Sequence, residues 1–166
     1  MEKKIYIYTD GACRGNPGPG GWGALLKYEN HIKEIKGGSL LTTNNIMELT
    51  AVIESLNQLK FKSKVVVTTD SAYVKNGITT WIHNWKLKGW KTASKKPVKN
   101  KELWMKLDAL SSKHDILWKW VKGHSGNPDN DRADFLANQG IDAIKFQTHI
   151  AEAESSEYEQ LSLIHI

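Results

Sequence analysis

The chain has 166 residues, the size of one domain, with a formal charge of +5 and a single cysteine, Cys13. One cysteine excludes a disulfide framework, the opening MEKKIYIY lacks the apolar stretch of a secretion signal, and no run of about 18 apolar residues is available to span a membrane, so the cytoplasm is the expected compartment. The charge is uneven: residues 145–166 hold Lys145 against four glutamates, net −3, which leaves +8 on residues 1–144.

In chain order, Lys4 to Thr9 (KIYIYT), Trp22 to Tyr28 (WGALLKY) and His31 to Leu41 (HIKEIKGGSLL) are short β-rich segments separated by turn residues, which predicts an antiparallel meander. Between the first two, TDGACRGNPGPGGWG admits two readings: a glycine cradle for phosphates, or a strand that ends on a reactive carboxylate and turns. Thr43 or Asn44 can cap a helix running to about Leu59, in which Leu49, Val52, Ile53 and Leu56 share a face. Lys64 to Thr69 (KVVVTT) has the pattern of a buried strand and, following a helix, is expected to return to the sheet in parallel. A short helix from Ser71 to Asn76 precedes a tryptophan- and lysine-rich excursion; residues 71–101 carry eight lysines and no acid, a field suited to a polyanion or to plain solvation. Lys101 to Ser111 reads as a helix, Ile116 to Val121 as a strand, and a last helix begins near Pro128 or Asp129 with Ala133, Leu136, Ala137 and Ile141 as its stripe. The sum is a single α/β domain of residues 1–144, a mixed sheet with helices on its faces, followed by an acidic tail of residues 145–166 that is expected to be mobile.

Asp10 and Asp70 share a context, each closing an apolar strand after a threonine (IYIYTD, VVVTTD). If those strands are parallel neighbours, both carboxylates emerge at the carboxyl end of the sheet. Glu48 and Asp134 each border the apolar face of a helix and can lean toward the same end. Singly, each acid also serves as a turn former, a cap, a first-turn charge or a surface charge. Together they repel, by roughly 4 kcal/mol for a pair about 4 Å apart at an effective dielectric near 20, and such a cluster calls for hard divalent cations, Mg2+ or Mn2+, held by oxygen. In GHSGNPDNDRAD, His124 lies in a glycine-flanked loop ahead of the last helix, where a neutral imidazole can move protons.

These stretches, TDGAC-GNPGPGG, TTNN-MEL, TTDSAYV, WIHNWKLKGWKTASKKPVKNKELW and WVKGHSG-NPDNDRADFLA, occur in an order that resembles bacterial type 1 ribonuclease H over roughly residues 3–143. The resemblance implies a five-stranded mixed sheet with helices on both faces and a basic protrusion at about residues 81–104. It implies hydrolysis of the RNA strand of RNA–DNA hybrids with two metal ions, leaving 5′-phosphate and 3′-hydroxyl ends. On it, Asp10 bridges the ions, Asp134 helps to hold the ion on the water side, Glu48 and Asp70 serve the leaving side, and His124 aids proton transfer. Asn16, Asn44 and Asn45 would line the hybrid's minor groove, with Thr43 near a DNA phosphate. Lys86, Lys88, Lys91, Lys95, Lys96 and Lys99 would meet phosphates, while Trp81, Trp85, Trp90 and Trp104 could stack on sugars, with most of them expected to pack the protrusion's own small core instead. The glycines after Asp10 then let backbone approach substrate, and no G-x-x-x-x-G-K-[ST] is present to make a P-loop. Leu41, Ile46, Ala72 and Leu87 depart from the family pattern and point to weaker phosphate binding. A monomer without an obligate protein partner suffices. The alternative is a module of the same fold that holds hybrids without cutting them, which the presence of all four acids disfavours.

Overall fold

The computed structural model describes the backbone of residues 3–123 and 126–164, with side chains as far as Ala151. Three strands, β1 (Ile5–Cys13), β2 (Gly18–Tyr28) and β3 (His31–Thr42), form the antiparallel meander. The helix α1 (Asn44–Asn57) then carries the chain across the sheet to β4 (Lys64–Thr69), which lies parallel to β1, and β5 (Asp115–Trp120) lies parallel to β4. The order across the five-stranded mixed sheet is β3-β2-β1-β4-β5, with helices on both faces.

The helix α1 begins where Thr43 accepts the Ile46 N–H through its hydroxyl at 3.2 Å. A cap of this kind stabilises by about 1 kcal/mol, whereas each fully buried Leu, Val or Ile contributes roughly 1.5–3 kcal/mol. With Leu49, Val52, Ile53 and Leu56 all buried, the apolar face decides that this segment is a packed helix and the cap decides where it starts. This face meets Ile7, Val65 and Val67 of the sheet and Trp104 and Leu107 of α4 (Lys101–Ser111), in one core.

The opposite face of the sheet is covered by α5 (Pro128–Ile164), whose residues Ala133, Leu136, Ala137 and Ile141 are buried as their spacing predicts. The helix lies close because β2 offers no side chain there: a Cβ on Gly23 would stand 2.6 Å from the Ala133 oxygen and from the Ala137 nitrogen. The helix also continues to Ile164, well past the end of its apolar stripe. Between β4 and α4 the chain forms α2 (Ala72–Asn76), a π-helical turn (Gly77–Trp81) and α3 (Ile82–Leu87), then a loop closed by a bridge between Lys91 and Pro97. The stretch expected to be the basic protrusion, residues 81–104, begins at the end of the π turn and runs into α4. Its tryptophans form a chain of ring contacts: Trp85 lies 5.9 Å from Trp81, 6.2 Å from Trp90 and 5.4 Å from Trp104, centroid to centroid. Among the described residues, no helix is long and apolar enough to cross a membrane.

Candidate active site

The register of the central strands places the first two acids. Thr9 on β1 is paired with Thr69 on β4, so the next residue on each chain, Asp10 and Asp70, leaves the sheet side by side. Opposite Asp10 on its other side is Gly23 of β2, the position that admits the backbone of α5 at Ala133; the following residue, Asp134, thereby hangs over the same end. Glu48 arrives from α1 through Gly11: a Cβ there would come within 2.5 Å of the Glu48 nitrogen and 2.6 Å of the Met47 carbonyl carbon, so only glycine lets α1 sit this close to β1.

One carboxylate oxygen from each of Asp10, Glu48 and Asp70 lies within 4.8 Å of the others. Asp134 is close enough to hydrogen-bond Asp10. The cleft is lined by Asp10, Gly11, Glu48, Asp70, Asn130, Asp131 and Asp134. Of these, Asn130 and Asp131 are not among the acids and amides that the sequence reading singles out. Their signal is positional, since they stand four and three residues before Asp134 and so on the same side of the helix.

Burial and mutual repulsion dominate the electrostatics. Glu48 is 5% exposed and its Oε2 has no hydrogen-bond partner. Loss of solvent, then the charges of Asp10 and Asp70, hold its carboxyl well above the usual range. For Asp10, burial first, then Asp70 and then Asp134, push the pKa up to about 8, against the opposing pull of the Gly11 amide. Without cations, the cluster therefore keeps protons that isolated carboxyls would lose. An orphaned buried oxygen among converging carboxylates, with no thiolate near, fits a hard divalent ion in place of those protons.

Around the cleft, Asn16 accepts the Asn44 N–H through Oδ1 at 3.1 Å, tying the turn after β1 to the start of α1, where Thr43 is the cap. Asn16 and Asn44 are exposed and Asn45 is half-buried. The six lysines of the protrusion, Lys86, Lys88, Lys91, Lys95, Lys96 and Lys99, are all exposed, and Lys86 is engaged by Asp108 at 3.3 Å. Trp81 is more exposed than Trp104, which is wholly buried. His124, expected to move protons, lies outside the described residues.

A family model for RNase H matches residues 2–142. Among relatives, ribonuclease HI of Neisseria meningitidis serogroup B is 61% identical over 140 residues, covering 84% of this chain and 97% of its own. Ribonuclease H of Alcanivorax borkumensis is 63% identical over 143 residues, covering 86% and 95%. Among solved structures, LC9-RNase H1, a type 1 RNase H with the type 2 active-site motif, superposes with a TM-score of 0.77 at 32% identity, covering 86% of this chain and 74% of that one. LC11-RNase H1 in complex with an RNA/DNA hybrid gives a TM-score of 0.63 at 27% identity, covering 84% and 98%. By sequence and by fold, the chain belongs to the bacterial type 1 ribonuclease H family of endonucleolytic hydrolases.

Proposed function

We propose that the chain hydrolyses the RNA strand of RNA–DNA hybrids, with divalent cations held by Asp10, Glu48, Asp70 and Asp134, leaving 5′-phosphate and 3′-hydroxyl ends. The observation that carries this reading is the buried three-carboxylate cluster with its unpartnered Glu48 oxygen, at the sheet end where Asp134 closes over Asp10. Two Mg2+ ions, or Mn2+ in their place, would supply charge neutralisation on both the attacking and the leaving side of phosphorus. Asp10, within reach of Asp70, Glu48 and Asp134, would be the ligand common to both ions. Glu48 and Asp70 would help to hold the ion that stabilises the leaving 3′ oxygen, and Asp134 the ion that activates the attacking water. His124 passes protons on the water side.

Selection for a hybrid rests on Asn16, Asn44 and Asn45, whose amides are suited to 2′-hydroxyls in a wide, shallow minor groove, with Thr43 toward a DNA phosphate. The bond from the Asn44 backbone N–H to the Asn16 amide oxygen keeps the Asn16 amide beside the start of α1, where Asn44 and Asn45 lie. The exposed lysines of the protrusion contribute phosphate contacts beside it, and the protein works as a cytoplasmic monomer. The complex of LC11-RNase H1 with a hybrid supports the choice of substrate. A panel of hybrid, duplex DNA and single-stranded RNA, each with Mg2+, Mn2+ or a chelator, tests the reading. Cleavage of the RNA strand in the hybrid alone, abolished by the chelator, is expected; equal cleavage of duplex DNA, or cleavage that survives the chelator, would overturn it.

A further inference from the structure

On the β5 side of β4, a pocket of about 140 Å3 opens between the π-helical turn and the end of β5, bounded by Thr69, Lys75, Ile78, Thr79, Trp118 and Trp120. It adjoins the acid cluster without sharing a residue with it. Thr69 is the register partner of Trp120, and its hydroxyl accepts the Ser71 N–H at 3.1 Å, framing the turn on which Asp70 sits. The pocket wall is thus one residue from a carboxylate of the cleft.

Its chemistry is unlike the cleft's. The floor is aromatic and aliphatic, Trp120 is 45% exposed, and the Lys75 ammonium sits 4.5 Å from the Trp120 ring centroid. Lys119 borders the pocket on β5 between the two indoles, and the residues described around the pocket include no acid. The far wall is held by the π turn, where the Thr79 hydroxyl donates to the Lys75 carbonyl at 2.8 Å. Turns of this kind are rare and recur at functional sites. An exposed indole for a base, with a cation beside it for a phosphate, is the pairing that binders of single-stranded nucleic acid use.

We propose that this pocket is a subsite for one unpaired nucleotide of a strand leaving the hybrid, its base stacked on Trp120 and its phosphate met by Lys75. The inference rests on the reading that the chain binds hybrids, and it adds a preference for hybrids that end in a single-stranded extension. The chemistry is common to an RNA or a DNA extension, so both are tested. Binding by the full-length protein is measured by fluorescence anisotropy with Ca2+ as the cation, using a blunt hybrid, one with a short oligouridine extension of its RNA strand, and one with a short oligothymidine extension of its DNA strand.

At least one extension should tighten binding by about fivefold or more, the low end of one base stacked on an aromatic ring. Trp120→Leu and Lys75→Gln should abolish that gain, leave blunt-hybrid affinity and thermal unfolding unchanged, and Trp120→Phe should retain part of it. A gain from neither extension, or a gain that survives Trp120→Leu, would overturn the subsite. Failure to bind the blunt hybrid would instead overturn the hybrid reading beneath it.

Discussion

At Asp10 the physical conflict is between burial and charge. The unfolded carboxyl ionises above about pH 4, whereas the folded one keeps its proton to about 8. Between those values the folded state binds the extra proton, so the stability tied to Asp10 is fully present below pH 4 and is lost as pH rises through 8, by up to roughly 1.4 kcal/mol per pH unit. In chelator, Asp10→Asn should therefore unfold at a higher temperature than wild type at pH 9 and at nearly the same temperature at pH 4; calorimetry at the two pH values checks this, and a variant less stable at both would contradict it. Because ligation needs the ionised carboxyls, Mg2+ binding should also release protons near neutral pH. The pairing of Asp10 with Asp70 was legible in the sequence because each closes an apolar strand, and a strand end has a definite direction. Asn130 and Asp131 were not, since an amide and an acid in a helical first turn are ordinary until the helix is seen to cross a cleft.

Among the elements, the placements of α1 and α5 on the sheet determine whether the acids meet. Lys27 to Asp129 and Arg14 to Asp142, each at 2.7 Å, and the bidentate pair of Arg132 with Glu34 tie α5 to β2, β3 and the turn after β1. These pairs are partly or largely exposed and each is worth little alone; the glycine-lined approach is what sets the depth of the helix. The same logic governs α1 at Gly11. Gly11→Ala must push Glu48 away by several tenths of an ångström or more, and a misplacement of about 1 Å can cost on the order of a hundredfold in rate. Steady-state kinetics should show kcat reduced by about that factor with KM little changed; an unaffected kcat would mean that the α1 backbone is free to yield. The glycines of TDGACRGNPGPGGWG thus include positions that admit the chain's own helices, Gly11 for α1 and Gly23 for α5. Strands, caps and apolar stripes could be read because their periods are local. The π turn and α3 could not, because the packing of Gly77 against Trp104 joins residues far apart in sequence. Nor could the length of α5, whose stripe stops at Ile141 while the helix runs to Ile164.

For the whole molecule, the proposed function has the basic body supply affinity and the acid cleft supply rate. Lysine contacts to phosphate, if made equally in the ground and transition states, are uniform binding, so their loss would weaken binding without slowing the bound complex. Replacing Lys95, Lys96 and Lys99 by alanine should raise the hybrid Kd and flatten its dependence on salt, each lost contact lowering the log–log slope by roughly 0.7–0.9, while single-turnover hydrolysis at saturating protein is unchanged. An unaltered slope would reduce these lysines to a solvated face. We further propose that residues 1–144 are the catalytic unit, so truncation after Lys145 should leave hybrid hydrolysis and thermal unfolding nearly as they are; a large loss of stability would make the extension of α5 part of the fold. The claim on which everything else depends is that the converging carboxylates are a cation site that performs the hydrolysis. It is tested most directly by single-turnover cleavage of a hybrid by wild type and Asp70→Asn in Mg2+, with the thermal unfolding of both measured in chelator. The variant should be at least as stable as wild type, because a repulsive charge is gone, and slower by about a thousandfold or more, on the order of 4 kcal/mol in barrier. A variant that cleaves within about tenfold of wild type, a difference of only ~1.4 kcal/mol, would contradict the account.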